Sequence, residues 1–280
     1  MTHIVVFDSG LGGLSVLKEV RQACPGAAIS YVADTAGFPY GALSEQEVVR
    51  RVLATFEAVV ARRPPDIAII ACNTASTLVL PFLRASHAFP FVGTVPAVKP
   101  AAEQTKSGLI SILATPGTVK REYTQALIAA YARDVDVTLV GATGLAALAE
   151  AAMRGEPADD KAIAAEIAPA FREKAGARTD TVVLACTHYP LLLDHLRRIA
   201  PWPVTWIDPA PAIARRVASL LADRPPAETL SHGDQALFTA IPDTIPDGRT
   251  ALADLLAGFG LTALDTLPLS AALSGPRAAT

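Results

Sequence analysis

The sequence predicts an α/β fold built from two similar, doubly wound domains with mostly parallel sheets, pseudo-two-fold related, and an active site in the cleft between them. Three observations predict it. Short β-branched apolar runs alternate with helix-period segments along most of the 280 residues. That is the pattern of strands joined by helical crossovers, with helices on both sheet faces. The alternation restarts near residue 108, where residues 108–117 resemble residues 2–10 in shape. Finally, Asp66-Ile-Ala-Ile-Ile-Ala-Cys72-Asn-Thr and Asp180-Thr-Val-Val-Leu-Ala-Cys186-Thr-His share one pattern. Each reads as a buried strand that delivers a cysteine to its C-terminal end, where a helix begins. Two such sheets bring their strand ends to a shared cleft, where open α/β sheets bind ligands.

The elements follow in order. Residues 3–7 form a short apolar strand, and Asp8-Ser-Gly-Leu-Gly-Gly13 makes a tight loop into a helix over 14–23. A strand over 28–34 ends at Asp34-Thr-Ala-Gly-Phe-Pro-Tyr-Gly41. Ser44 opens a long helix, with Glu47 three residues on as a capping box, and Pro64-Pro65 end it. The first cysteine strand spans 67–71; a helix containing Pro81 and a strand over 91–95 follow. In the second half the strands fall at 109–114, 135–140, 181–185 and 204–207. Its helices begin near 119 and span 143–153, carrying Glu150, and 159–175. A last helix is expected over 210–221. The domains are therefore expected at 1–96 plus 209–265, carrying Asp8 and Cys72, and at 97–208, carrying Cys186. Residues 266–280 are expected as a tail, Ala/Pro/Ser/Gly-rich from about 270 and frayed.

Composition excludes several functions. Hydrophobic residues make up 51% of the chain, so a large core is easily buried, and a net charge of −3 leaves no electrostatic footprint for nucleic acid. No apolar run reaches the roughly 20 residues that span a bilayer. The first strand begins directly after Met1-Thr-His, without the pattern of a signal peptide. Three cysteines and five histidines form no metal-ligand spacing, so no metal is expected. Free thiols fit a cytoplasmic setting.

A cysteine between a strand end and a helix start faces backbone N–H groups, and the helix dipole favours its thiolate. One such cysteine is as readily a structural residue; two in matching frames suggest chemistry. A cysteine phosphatase would need an Arg six residues on, where Leu78 and Leu192 stand. A Cys–His hydrolase would leave one thiol without a role. Proton abstraction at a carbon, with one thiol on each face, uses both and inverts the stereocentre.

Five motifs then occur in order: Asp8-Ser-Gly-Leu-Gly-Gly13, Phe38-Pro-Tyr-Gly41, Ala71-Cys-Asn-Thr-Ala-Ser76, Ala114-Thr-Pro-Gly-Thr118 and Ala185-Cys-Thr-His-Tyr-Pro190. Together they resemble the glutamate racemases of the cofactor-independent Asp/Glu racemase superfamily, from about residue 4 to 208 and more weakly to 264. The resemblance implies interconversion of L- and D-glutamate without pyridoxal phosphate or other cofactor, supplying D-glutamate for peptidoglycan. It implies that Cys72 takes the proton from the D-isomer and Cys186 from the L-isomer. Asp8 matches the acidic residue beside the first thiol, although the bare sequence equally allows a loop cap or half a metal site. A charged Asp8 would raise the Cys72 pKa, so its role would be proton relay or orientation of the substrate ammonium. His188 matches the residue assisting the second thiol, and Glu150, more loosely, an acidic residue facing the cleft near it. Ser9, Gly41, Asn73, Thr74 and Thr187 stand where substrate contacts are expected. Thr115 and Thr118 would add hydroxyl donors, and Tyr40 with Gly41 would frame one end of the substrate. Gly37 stands where relatives carry a larger residue, which is expected to loosen that loop. Cys24 matches no motif. A homodimer is expected by analogy alone. The alternatives are an aspartate or hydantoin racemase, or a non-catalytic binding or regulatory protein on this scaffold, for example a gyrase binder. His188 and Tyr40 speak against the first.

Overall fold

The computed structural model describes residues 2–222, 233–241 and 248–269. The chain first forms β1 (His3–Asp8), β2 (Ala28–Ala33), β3 (Ile67–Ile70) and β4 (Phe91–Gly93). β5 (Leu109–Ala114), β6 (Asp136–Gly141), β7 (Glu173–Lys174), β8 (Ala177–Arg178), β9 (Thr181–Ala185) and β10 (Thr205–Ile207) follow. β11 (Gln235–Phe238) and β12 (Ala263–Thr266) return to the first half. One sheet has the order β12-β11-β2-β1-β3-β4 and a second β10-β9-β5-β6, and every pairing in both is parallel. The order β2-β1-β3-β4 in one is repeated as β6-β5-β9-β10 in the other, so the duplication read from the sequence is also topological.

The central strands are apolar on both faces because both faces are covered. Ile4 and Val6 of β1 enter one core cluster and Val5 and Phe7 another. In β9, Val182 and Leu184 face one cluster and Val183 and Ala185 the other. The helix Ala210–Leu221 packs its buried Ile213, Ala214 and Val217 in the same cluster as Leu14 and Leu17 of the helix Leu14–Ala23.

The long helix Glu45–Arg62 starts as expected, with Ser44 Oγ accepting from Glu47 N at 3.2 Å. Ser44→Ala is expected to lower stability by about 1 kcal/mol, the typical loss of an N-cap; an unchanged urea midpoint would contradict it. The helix Asn73–Ser86 runs through Pro81.

Several expectations need correction. The helix expected over 159–175 ends at Ile167 and passes through a 3-10 turn, Ala168–Ala170, that contains Pro169. Proline disfavours helical backbone in the residue before it and cannot donate to the helix. β7 and β8 then form an antiparallel hairpin across Ala175 and Gly176, both at positive φ. The helix expected from about 119 is two helices, Pro116–Val119 and Glu122–Tyr131. The strand expected over 91–95 stops at Gly93. The helices Val98–Gln104 and Gly248–Ala257, with β11 and β12, were not expected. Within the segment expected as a tail, Thr266 lies in β12 and Leu267 is buried; residues 270–280 lie outside the described residues. No helix among the described residues is long and apolar enough to cross a membrane.

Candidate active site

In each sheet the chain reverses direction beside its first strand, between β1 and β3 and between β5 and β9. Such switch points open a crevice at the carboxyl ends of the strands. β1 delivers Asp8 and Ser9 there, β3 Cys72 to Thr74, β5 Thr115, and β9 Cys186 to His188. The crevices meet in one cavity lined by Ser9, Tyr40, Gly41, Cys72, Asn73, Thr74, Thr115, Cys186, Thr187 and His188. Its volume is about 20 Å³, room for about one water. Asp8, Thr118 and Glu150 are buried behind this lining. Phe38 and Pro39, part of one of the five motifs but given no role from sequence, also line it, as does Ala146, which no motif marked. The structure gives Phe38 its place, its ring 5.3 Å from that of His188. Cys24 lies apart, half-buried at the end of its helix.

The two thiols have different neighbours. Cys72 caps the helix Asn73–Ser86, and its Sγ donates to Ser9 Oγ at 3.8 Å. Burial, and then the charge of Asp8, push this thiol well above its usual pKa; the Ala75 N–H and Ser9 act in the opposite direction but are outweighed. The helix start therefore does not make Cys72 a thiolate at rest, contrary to the expectation from position, because desolvation is the larger effect. Asp8 is itself raised by burial, which exceeds the lowering by His188, Gly10 N–H and Thr187. Its Oδ1 accepts from Gly10 N at 2.9 Å and its Oδ2 from Thr187 Oγ1 at 2.9 Å, the latter across the two halves.

At Cys186 the neighbour is an imidazole. His188 Nδ1 lies 3.7 Å from Cys186 Sγ, and His188 Nε2 lies 2.9 Å from Glu150 Oε1. Burial lowers the His188 pKa, but its contacts with Cys186 and Glu150 more than reverse this and hold it well above the ordinary value. Glu150 is lowered despite burial, chiefly by His188, then by Leu11 N–H, which donates to Oε1 at 2.5 Å, and by Arg154. The assembly is thus a carboxylate and an imidazolium, with Nδ1–H presented to the second thiol. Gly12 N approaches Nε2 to 3.2 Å, a contact rather than a bond once Nε2 donates to Glu150. That closeness requires glycine: a Cβ on Gly12 would lie 2.4 Å from His188 Nδ1.

Polar groups converge on the same cavity. The hydroxyls of Thr74, Thr115 and Thr118 form a triangle with sides of 2.9, 3.1 and 3.3 Å. Both polar atoms of the buried Asn73 amide lack a hydrogen-bond partner. Such orphans cost about 1–3 kcal/mol each, so they mark groups held ready for something polar. Among the described residues there is no group of three or more His, Cys, Asp and Glu able to hold a metal ion.

Comparison with known proteins identifies the family. The family model for Asp/Glu/Hydantoin racemase matches residues 4–217. A glutamate racemase of Brucella canis is 56% identical over 260 residues, 92% of each chain. The crystal structure of Escherichia coli glutamate racemase in complex with L-glutamate and activator UDP-MurNAc-ala superposes with a TM-score of 0.88 at 41% identity. It covers 96% of this chain and 98% of that one. A glutamate racemase isoform of Bacillus anthracis superposes with a TM-score of 0.76 at 26% identity, covering 96% of this chain and 99% of its own. The chain belongs to the Asp/Glu/hydantoin racemase family.

Proposed function

We propose that this protein interconverts L- and D-glutamate by moving the α-proton between two thiols, Cys72 and Cys186, on opposite faces of the substrate carbon. The observation that carries this reading is that matching switch points of two duplicated sheets bring both cysteines to one narrow, buried cavity. In the forward step one thiolate takes the α-proton and becomes a thiol. The carbanion then takes the proton of the opposite thiol, which is left as thiolate, so charge and protons balance and the stereocentre inverts.

The resting enzyme needs one thiolate and one thiol. Burial and Asp8 keep Cys72 protonated, and His188 Nδ1 faces the Cys186 sulfur at 3.7 Å. The state with the charge on Cys186 suits the enantiomer whose proton faces that sulfur, the L-isomer by the family resemblance. The D-isomer meets the other state, with the proton on Cys186 and the charge on Cys72. Asp8, beside Cys72, opposes that charge, so its role is orientation of the substrate ammonium or proton relay. Thr74, Thr115, Thr187, Ser9 and the Asn73 amide supply donors for carboxylates, Thr118 supports Thr74 and Thr115 from behind, and the bonds to the α-carboxylate strengthen as carbanion charge spreads onto it. Tyr40 and Gly41 frame one end of the substrate. Domains at 1–96 plus 209–265 and at 97–208 fit this division of labour, one thiol on each. The setting is a cytoplasmic homodimer supplying D-glutamate for peptidoglycan.

Purified protein is expected to remove the optical activity of L-glutamate without added cofactor, and in D₂O to place deuterium at the α-carbon of the product. Faster racemisation of aspartate than of glutamate would transfer the assignment to the aspartate enzymes.

A further inference from the structure

We propose that Asp34 and Arg51, which the mechanism above does not use, are positioning residues that hold the Tyr40 wall of the cavity in its substrate-binding place. The inference rests on the racemase reading and deepens it. Arg51 reaches from the helix Glu45–Arg62 to the end of β2, where its Nε donates to Asp34 Oδ2 at 2.6 Å and its Nη2 to Oδ1 at 2.7 Å. The Tyr40 hydroxyl donates to the same Oδ2 at 2.5 Å, and Thr239 Oγ1 donates to Oδ1 at 2.7 Å. One carboxylate therefore ties together a strand end, a helix, the cavity wall and the residue after β11.

The ion pair itself is buried, the Asp34 side chain 0% exposed and that of Arg51 7%, and Thr239 closes it at a half-buried edge. A buried ion pair must offset the loss of water around both charges, so its net contribution to stability is small. What a bidentate guanidinium–carboxylate fork supplies is fixed orientation. Here the part oriented is Tyr40, whose ring packs on Phe7 at 6.3 Å and belongs to the same core cluster as Cys72. Its hydroxyl is committed to Asp34 rather than to the cavity that the residue lines. Gly37 completes the device: a Cβ there would lie 2.3 Å from Arg51 Nε and 2.8 Å from Asp34 Oδ2. The glycine thus makes room for the guanidinium.

A wall released from this anchor lowers affinity for the substrate while leaving the chemistry on bound substrate intact. The test compares Arg51→Lys, which keeps the charge but not the fork, with the double variant Asp34→Asn/Arg51→Gln, which removes both charges together and strands neither. Racemisation is followed by circular dichroism, with thermal unfolding measured alongside. KM for glutamate is expected to rise roughly tenfold in both, with kcat within about threefold and the α-deuterium isotope effect unchanged. KM within about twofold of the parent in both variants, with only the unfolding midpoint lowered, overturns the inference and leaves a purely structural pair. A parent that leaves glutamate unchanged overturns the racemase reading itself.

Discussion

Cys72→Ala is expected to lower glutamate racemisation by about 10³-fold or more, because no other group can supply the proton to that face. Cys186→Ala should do the same for the other face. L- and D-glutamate are mirror images of equal free energy, so kcat/KM must fall equally in both directions, and steady-state rates alone do not say which thiol serves which enantiomer. Exchange in D₂O does. With Cys72→Ala, Cys186 can still take the proton of L-glutamate and return a deuteron to the same face. L-glutamate is then expected to gain deuterium without inverting, while D-glutamate stays unlabelled. Cys186→Ala should give the converse. If both single variants racemise at the parent's rate, the two-thiol mechanism is wrong; if each labels both enantiomers equally, the assignment of faces is wrong.

Glu150→Gln is expected to slow racemisation by about 10²-fold, and more at alkaline than at acidic pH. In the parent, Glu150 and Cys186 hold the His188 proton well above its ordinary pKa of about 6.5. The stability this contributes is fully present below that ordinary value and is lost as pH rises through the folded-state pKa. Glu150 works the other way: its folded pKa is depressed, so its contribution is present above the ordinary carboxyl value and lost as pH falls through the folded one. The Gln side chain can still accept from Leu11 N–H but no longer pairs with the imidazolium. The folded His188 pKa therefore falls, and both the pH–rate profile and the pH dependence of stability should lose their alkaline reach. A profile that only scales down, with its limbs in place, would make Glu150 a structural residue.

On the proposed mechanism, a nearly symmetric fold serves an asymmetric pair of bases. Duplication gives both cysteines the same frame, a β-type run followed by a helical turn at a switch point. The side chains around them differ: Asp8 and Ser9 beside Cys72, His188 and Glu150 beside Cys186. One thiol is held protonated by burial and a like charge, while the other faces a cation. On the proposed mechanism the two thiols exchange protonation states in each turnover, and burial with Asp8 holds Cys72 on the thiol side at rest.

The four strands that carry the site were legible because they are buried on both faces. β1, β3, β5 and β9 read as unbroken β-type runs, and a Cys, Asp or Thr directly after such a run can only lie at the strand's C-terminal end. Two parallel sheets with repeated order follow from the repeat of those runs. β11 and β12 were not legible. β12 is an edge strand with Ala263, Asp265 and Thr266 exposed, so it shows no apolar run. The hairpin of β7 and β8 depends on positive φ at Ala175 and Gly176, to which Ala gives no clue.

What the sequence determined by itself is the pair of thiols, their strand ends and the duplicated frame, since each follows from residues adjacent in the chain. Only the tertiary structure decided what surrounds those thiols, and with it the charge of Cys72. Whether Cys72 is thiol or thiolate depends on how completely the cavity excludes water and on Asp8 beside it. The imidazolium at Cys186 exists because Glu150, far away in sequence, reaches His188 and the Leu11 N–H. The anchoring of Tyr40 likewise needs Arg51 and Thr239 to meet at one carboxylate. Desolvation and pairing are properties of neighbours in space, and a linear sequence specifies those only through the fold.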